Sequence, residues 1–277
     1  MNTFRDMVSV VKQKLEEVGI EGAAREARLI AASAVGVERD RIAISMNEPV
    51  DSTDWQVLGD ILPDRLERRP LSHLLGYRDF FKHRFQVSRQ VLDPRPETEI
   101  LVEIALAGRF NRVLDLGTGS GAIVISLLVE RPQVEGLATD YSDDALKEAQ
   151  GNAKWIGVED RCQFLRSDWF AAINGGFDLI VSNPPYISLE EMDLLEPELA
   201  FEPRMALTDE GDGLSAYRAI AKGLPEHLTP GGRVLVEIGP TQARAVSEMF
   251  AGAGLENIDT HPDLDGRDRV VSAKMSV

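Results

Sequence analysis

The chain of 277 residues has one cysteine, Cys162, so no disulfide can form within it. With no signal peptide evident at its start, that points to the reducing cytoplasm. The four histidines (His73, His83, His227, His261) are scattered, and neither they nor Cys162 have metal-ligand spacing, so no metal is expected. No apolar run approaches the roughly 18–20 residues that a membrane span needs; Ile123 to Val129 is a typical short one. Positive charge is also scarce: 30 Lys and Arg stand against 46 Asp and Glu, a net charge of −16. A body this acidic repels phosphate backbones at long range, which weighs against a general nucleic-acid binder.

The deficit is uneven. Residues 1–75 carry 10 basic and 13 acidic side chains, residues 76–95 carry 5 and 2, and residues 96–277 carry 15 and 31. The middle segment therefore holds a local basic strip of Arg78, Lys82, Arg84 and Arg89. A solvated basic hairpin explains that strip as well as a docking site does.

Hydrophobic residues make up 43 % of the chain, enough for a real core, and the length suits one large domain or two modest ones. The first 75 residues read as a helical bundle. Val8, Val11, Leu15 and Val18 recur at helical spacing up to Gly19, and Ala23 to Val35 carries one small-residue face. A third helix bears Trp55, Leu58, Ile61, Leu62 and Leu66; Ser52 or Thr53 is its expected cap, and Pro63 is expected to kink or split it. Residues 76–95 alternate apolar residues (Phe81, Phe85, Val87 and Val91) with charged side chains and predict a β-hairpin linker.

From Pro96 onward strands alternate with helices. Strands are expected at 112–116, 134–140, 162–168, 177–182, 233–239 and 269–274. Helices are expected at 121–131, 142–155, 216–227 and 241–253, with Pro230-Gly231-Gly232 ending the third. The pattern argues for an α/β fold, a parallel sheet covered on both faces, with every strand's C-terminal end on one ligand-binding edge.

Two motifs fall on that edge. The turn D-L-G-T-G-S-G (115–121) follows the first strand, and Asp140 ends the next, placed to accept hydrogen bonds from a ribose diol. Asp168, at the end of the third strand, suits an adenine amino group, with Trp169 against the ring. The run is not a P-loop, and its G-x-G-x-G spacing departs from the dinucleotide fingerprint. The second motif, Asn183-Pro184-Pro185-Tyr186, emerges from F-D-L-I-V-S. Prolines have no N–H, so this loop is stiff and offers acceptors: the Asn183 side chain and the proline carbonyls. Two such acceptors grip both hydrogens of a planar NH2 group, and Tyr186 fixes its plane. Adenine or cytosine amines and glutamine or asparagine amides all carry that group, and the four residues do not separate them.

The glycine turn resembles the first motif of class I S-adenosylmethionine-dependent methyltransferases. P-R-P-E-T-E (94–99), N-P-P-Y-I (183–187), E-P-R-M-A-L (202–207), G-D-G-L-S-A-Y-R (211–218), E-I-G-P-T-Q (237–242) and D-L-D-G-R-D-R-V (263–270) occur in that order. Together they closely resemble the peptide chain release factor glutamine methyltransferases, the PrmC or HemK family. Asp93 departs from the apolar residue usual before the first of these motifs, which bears on local packing.

The resemblance implies a Rossmann-like, mostly parallel seven-stranded sheet over 96–277, preceded by a helical domain (1–75) that recognises the partner and the hairpin linker (76–95). It implies a cytoplasmic monomer that methylates the glutamine of the Gly-Gly-Gln loop in class 1 release factors, without stable nucleic-acid or membrane binding. Gly117, Thr118, Gly119, Ser120, Gly121, Asp140, Asp168, Trp169 and Asn183 would hold S-adenosylmethionine; Asn183, Pro184, Pro185 and Tyr186, with Glu97, would hold the substrate amide. Thr98 is expected to shape the site, and Glu202, Asp212 and Tyr217 to pack. The competing readings are an adenine-N6 methyltransferase of DNA or RNA, which the net charge opposes, and a non-catalytic adaptor, which the intact set Asp115, Gly117, Gly119, Asp140 and Asn183 opposes.

Overall fold

The computed structural model describes residues 2–277, which divide into two units: 2–76 with Glu196–Phe201, and Tyr77–Leu195 with Glu202–Val277.

The smaller unit is helical: α1 (Phe4–Glu17), α2 (Ala23–Val35), α3 (Ile42–Ser45), α4 (Ser52–Leu66) and α5 (Leu71–Leu75). Phe4, Met7, Val11 and Leu15 of α1 pack on Ala27, Ile30 and Ala31 of α2, all at zero exposure. The small residues of α2 let the helices approach closely. The cap of α4 is Asp51, one residue before the predicted pair: its carboxylate accepts from Thr53 N and Asp54 N, and Asp54 returns the bond to Asp51 N. A carboxylate at this position also faces the positive end of the helix dipole. Pro63 does not split α4, which runs on to Leu66.

Arg65 is the polar centre of this unit. It is 4 % exposed and reaches Glu26 at 2.7 Å and Glu198 at 3.2 Å. Glu198 thereby ties the returning segment Glu196–Phe201 to the helices, with Arg68 at 3.5 Å as a second cation.

The larger unit begins with the hairpin β1 (Tyr77–Phe80) and β2 (His83–Gln86). Phe80 and Phe85 enter the core. Phe81 occupies the turn with φ 41° and is only partly buried. The turn adds a residue pair that resets the alternation.

Then follow α6 (Glu99–Ala107), β3 (Arg112–Leu116), α7 (Ala122–Glu130), β4 (Glu135–Asp140), α8 (Asp143–Ile156), β5 (Cys162–Arg166), β6 (Phe177–Ser182), α9 (Arg204–Leu207), α10 (Ser215–His227), β7 (Leu228–Glu237), α11 (Ala243–Gly252), β8 (Leu255–Pro262) and β9 (Asp268–Met275). The sheet order is β5-β4-β3-β6-β7-β9-β8. Strand alternation sorts side chains to two cores. Val113, Leu179, Val181 and Leu235 join one; Leu114, Ile180, Val234 and Val236 join the other.

Three expectations need correction. β9 pairs antiparallel with β7 and β8, so not every strand points its C-terminal end at the ligand edge. The seventh strand, β8, lies at the sheet edge, and five of its eight residues are exposed, so L-E-N-I-D-T-H-P shows no apolar run. Pro230-Gly231-Gly232 lies inside β7 rather than ending α10, at an irregularity in its pairing with β6. A Cβ on Gly232 would approach Phe177 O to 3.0 Å, so only glycine fits there.

β3 runs to β4 and β5 on one side, whereas β6 and β7 lie on the other. The chain reverses between β3 and β6, and a crevice opens at their C-terminal ends.

Replacing Arg65 by alanine leaves partly buried Glu26 without its cation and partly buried Glu198 with Arg68 alone. Because each is about one-fifth exposed, the cost should fall below that of a fully buried pair, at about 2–3 kcal/mol. Denaturant unfolding followed by circular dichroism measures it, and an unchanged midpoint would contradict the role of Arg65.

Candidate active site

The crevice is a cavity of about 360 Å³ lined by Thr98, Gly117, Thr118, Gly119, Ser120, Asp140, Asp168, Trp169, Asn183 and Pro185, among others. The elements that place these residues are the β3–α7 turn, the ends of β4 and β6, the segment after β5 and the approach to α6.

In the glycine turn, Gly117, Gly119 and Gly121 all adopt positive φ, but for different ends. A Cβ on Gly117 or Gly119 would meet nothing within 4 Å, so the space above them is open to a ligand. A Cβ on Gly121 would strike Ile125 at 2.7 Å and Ala149 at 3.2 Å. Gly121 is absent from the cavity wall and serves the packing of α7 on α8. Asn152 of α8, which the sequence did not single out, braces this turn: Nδ2 donates to Ser120 O at 2.9 Å and to Gln86 O at 3.0 Å, and Oδ1 accepts from Gln86 N at 2.7 Å. One buried amide thus joins hairpin and turn.

Two acids support the turn from below. Asp115 has no exposure; its Oδ2 accepts from Thr118 Oγ1 at 2.7 Å and Val124 N at 3.3 Å. Burial pushes its pKa up to about 7, against those two bonds. Asp140 accepts from Gly119 N through Oδ2 and from Ser142 N through Oδ1, both at 2.9 Å. Burial raises its pKa too, while these backbone donors oppose the rise. The result is a carboxylate fixed in orientation on the cavity wall.

β5 ends at Arg166, two residues before Asp168, so Asp168 lies in the following loop, exposed at the cavity rim. Trp169 has φ 48° and is pinned through its carbonyl, which accepts from Ser167 Oγ at 2.7 Å.

Asn183 follows β6 directly. Its Nδ2 donates to Thr98 Oγ1 at 3.2 Å, and that hydroxyl donates to Glu237 Oε2 at 2.5 Å. Its Oδ1 is buried with no hydrogen-bond partner among the described residues. Pro185 lines the cavity; Pro184 is buried, and neither Pro184 nor Tyr186 is on the wall. Tyr186 packs on the second core, where burial, with Glu237 close by, pushes its phenol up to about 12. Its carbonyl accepts from Gln242 Nε2 at 2.9 Å. That amide also donates to Gly213 O and accepts from Gly239 N and Tyr217 Oη. Gln242 therefore locks the proline loop from behind. Tyr217 is fully buried, as expected for a packing residue.

Glu97 is exposed and off the wall, whereas its neighbour Thr98 is 3 % exposed and on it. Glu202 is buried and accepts from Arg95 Nη2 at 2.6 Å; burial raises its pKa against that cation. Asp93 is also buried and lines the cavity. Asp212 is paired on the surface with Arg218.

Glu237 was missed as an individual site residue. It is 1 % exposed, and burial pushes its pKa up to about 7 despite Thr98 and Arg269. A carboxylate ending the apolar strand R-V-L-V-E was the available signal.

Among known families, residues 80–214 match the methyltransferase small domain, and residues 6–76 match the PrmC N-terminal domain. The chain is 48 % identical to a release factor glutamine methyltransferase of Cereibacter sphaeroides, over 98 % of each chain. It is 44 % identical to one of Bordetella pertussis, over 88 % of this chain and 92 % of that one. Among solved structures, a methyltransferase from Pyrococcus furiosus superposes with a TM-score of 0.55 at 16 % identity, covering 70 % of this chain and 89 % of that one, a likeness of fold.

Asp115 and Glu237 hold their protons more tightly folded than unfolded, where values near 3.8 and 4.5 apply. Their contribution to stability is thus complete below those values and is lost as pH rises through about 7. Stability should fall by about 1–3 kcal/mol per group between pH 5 and pH 8.5, and Asp115→Asn or Glu237→Gln should flatten that slope. Melting temperatures across this range test the sign; a rise towards pH 8.5 would contradict it.

Proposed function

Because this chain belongs to the release factor glutamine methyltransferase family, we infer that it moves a methyl group from S-adenosylmethionine to a release factor glutamine. The acceptor is the side-chain nitrogen of the Gly-Gly-Gln loop in class 1 factors, and the products are N5-methylglutamine and S-adenosylhomocysteine. The reaction belongs in the bacterial cytoplasm, where release factors act; among the described residues no helix is long and apolar enough to cross a membrane. The helical unit, which matches the PrmC N-terminal domain over residues 6–76, is assigned to recognition of the release factor.

The observation that carries this reading is the Asn183 amide, with its donor end occupied by Thr98 and its oxygen buried and unpartnered, on a residue that lines the same cavity as the glycine turn. An acceptor in that state suits a ligand that brings an N–H.

The residues present fit the cofactor. The open backbone at Gly117 and Gly119 admits its methionine part, the oriented carboxylate of Asp140 receives the ribose diol, and Trp169 with Asp168 borders the adenine. When bound, S-adenosylmethionine supplies a methyl group already activated by a positively charged sulfur.

What the protein must add is alignment. An amide nitrogen is a weak nucleophile because its lone pair is delocalised. Asn183 Oδ1 and a backbone carbonyl of the proline loop accept the two hydrogens of the glutamine NH2, which turns the out-of-plane face of the nitrogen towards the methyl. As that nitrogen becomes positive, both hydrogen bonds strengthen, so they favour the transition state over the bound amide. The alkylated nitrogen is strongly acidic and loses its proton without a dedicated base. Pro185 and the Gln242 clamp on Tyr186 hold the loop so that these acceptors need not reorganise.

Purified protein, labelled cofactor and a release factor should give methylated Gly-Gly-Gln peptide by mass spectrometry. Label found on DNA or RNA and never on that peptide would replace this reading with the adenine one. Asn183→Ala should reduce turnover by on the order of 10² to 10³ with the fold intact. Asp140→Ala should chiefly weaken cofactor binding, read by calorimetry. Near-normal turnover in Asn183→Ala would remove the proposed grip on the amide.

A further inference from the structure

Three side chains far apart in sequence form one hydrogen-bonded line behind the cavity. Asn183 donates to Thr98, and Thr98 donates to Glu237. Thr98 and Glu237 are almost wholly buried, at 3 % and 1 % exposure, so water does not complete or compete with the line.

A threonine hydroxyl carries one hydrogen, and an ionised carboxylate only accepts. When Glu237 is ionised it takes the Thr98 hydrogen. Oγ1 then has only lone pairs to offer, so Asn183 must turn its NH2 towards Thr98 and its oxygen away. With a proton on Glu237 the line can reverse: the carboxyl donates to Thr98, Thr98 donates to Asn183, and the amide rotates by half a turn. NH2 would then stand where an acceptor is needed, facing a substrate that is itself an NH2 donor.

We propose that Thr98 and Glu237 are positioning residues that set the polarity of the Asn183 carboxamide, so that its oxygen meets the substrate. This rests on the reading of the site as one that holds a primary amide. It assigns Thr98 of P-R-P-E-T-E and Glu237 of the E-I-G segment, 139 residues apart, to one task. Burial pushes Glu237 up to about 7, so the ionised form that sets this polarity prevails above neutral pH. Arg269 and Arg95 favour its charge; Glu97 opposes it, and burial opposes it most. The phenols of Tyr186 and Tyr217 are neutral there, both being shifted upward. Asp115 titrates in the same range, so a pH profile of turnover does not isolate Glu237.

The test is a double-mutant cycle. Thr98→Val removes the hydroxyl at constant shape, and Thr98→Ser keeps it. In the full chain, Thr98→Val should lower kcat roughly 10- to 100-fold, with cofactor Kd within about threefold of wild type. Thr98→Ser should stay within about threefold of wild type. In an Asn183→Ala background, Thr98→Val should cost almost nothing further, since its effect runs through the missing amide. A role in packing alone would instead lower turnover in both backgrounds.

A second readout needs no turnover. In the cofactor-free protein the Asn183 side-chain NH2 signal, identified by its loss in Asn183→Ala, should exchange slowly with solvent in wild type and Thr98→Ser. It should exchange faster in Thr98→Val. If Thr98→Val does not fold, Thr98→Ala removes the same hydroxyl and serves in its place.

A wild-type rate in Thr98→Val, or a loss that persists undiminished without Asn183, overturns the proposal. If wild-type protein leaves the release factor glutamine unmethylated, the functional reading fails; if it methylates that glutamine and the cycle is additive, only the positioning role fails.

Discussion

A buried carbonyl oxygen without a donor costs a folded chain about 1–3 kcal/mol, and this protein keeps one at Asn183 Oδ1. It can do so because everything around that atom is fastened. β6 runs straight into Asn183, and the preceding Ser182 bonds across to Leu116 O at 2.7 Å. Nδ2 is tied to Thr98, and Gln242 satisfies all four of its own hydrogen-bonding contacts in holding the loop beyond. Rotation that would relieve the oxygen has to break these bonds first. The cost is therefore held at one point, where a ligand N–H relieves it.

The same logic extends to the acids. Asp115, Asp140 and Glu237 all sit near the reversal between β3 and β6 or along β7, and burial raises the pKa of each. Water around an ionised carboxylate would stabilise it but would also rotate with it. Excluding water makes each carboxylate a fixed acceptor, at the expense of folding free energy above neutral pH. Stability and preorganisation pull in opposite directions here, and the large apolar cores on both faces of the sheet supply the margin.

What was legible in the sequence follows from how local each feature is. The glycine turn, Asp140 and N-P-P-Y are short, contiguous and dictated by backbone needs, so their chemistry shows in one dimension. The helical unit and the strands of the sheet centre announce themselves by periodicity. β8 did not, because a strand at the edge with most residues in water needs no apolar pattern. The antiparallel β9 was hidden because strand direction depends on the connection before it, here a short hairpin turn after β8. Asn152, Gln242 and the Thr98–Glu237 contact are long-range pairings of polar residues, and nothing local says which partner each will find. Glu237 alone left a trace, a charge inside an apolar strand, and only the fold tells what it faces.

The basic strip shows how charge composition and charge placement differ. Lys82 pairs with Glu130 at 2.9 Å, Arg84 pairs with Asp79 at 2.9 Å and lies over Tyr77, and Arg78 donates to Pro94 O. These cations are spent on the hairpin's own surroundings. A polyanion approaching this unit would have to compete with carboxylates already in place, on a chain whose net charge is −16. The acceptors at Asn183 and in the proline loop would suit an adenine amine and a glutamine amide equally, so the discrimination must lie in what brings the substrate to the cleft. A protein loop needs shape and a few hydrogen bonds for that approach, whereas a nucleic acid needs cations along its path. A net charge of −16 leaves few such cations, in keeping with a protein loop as substrate.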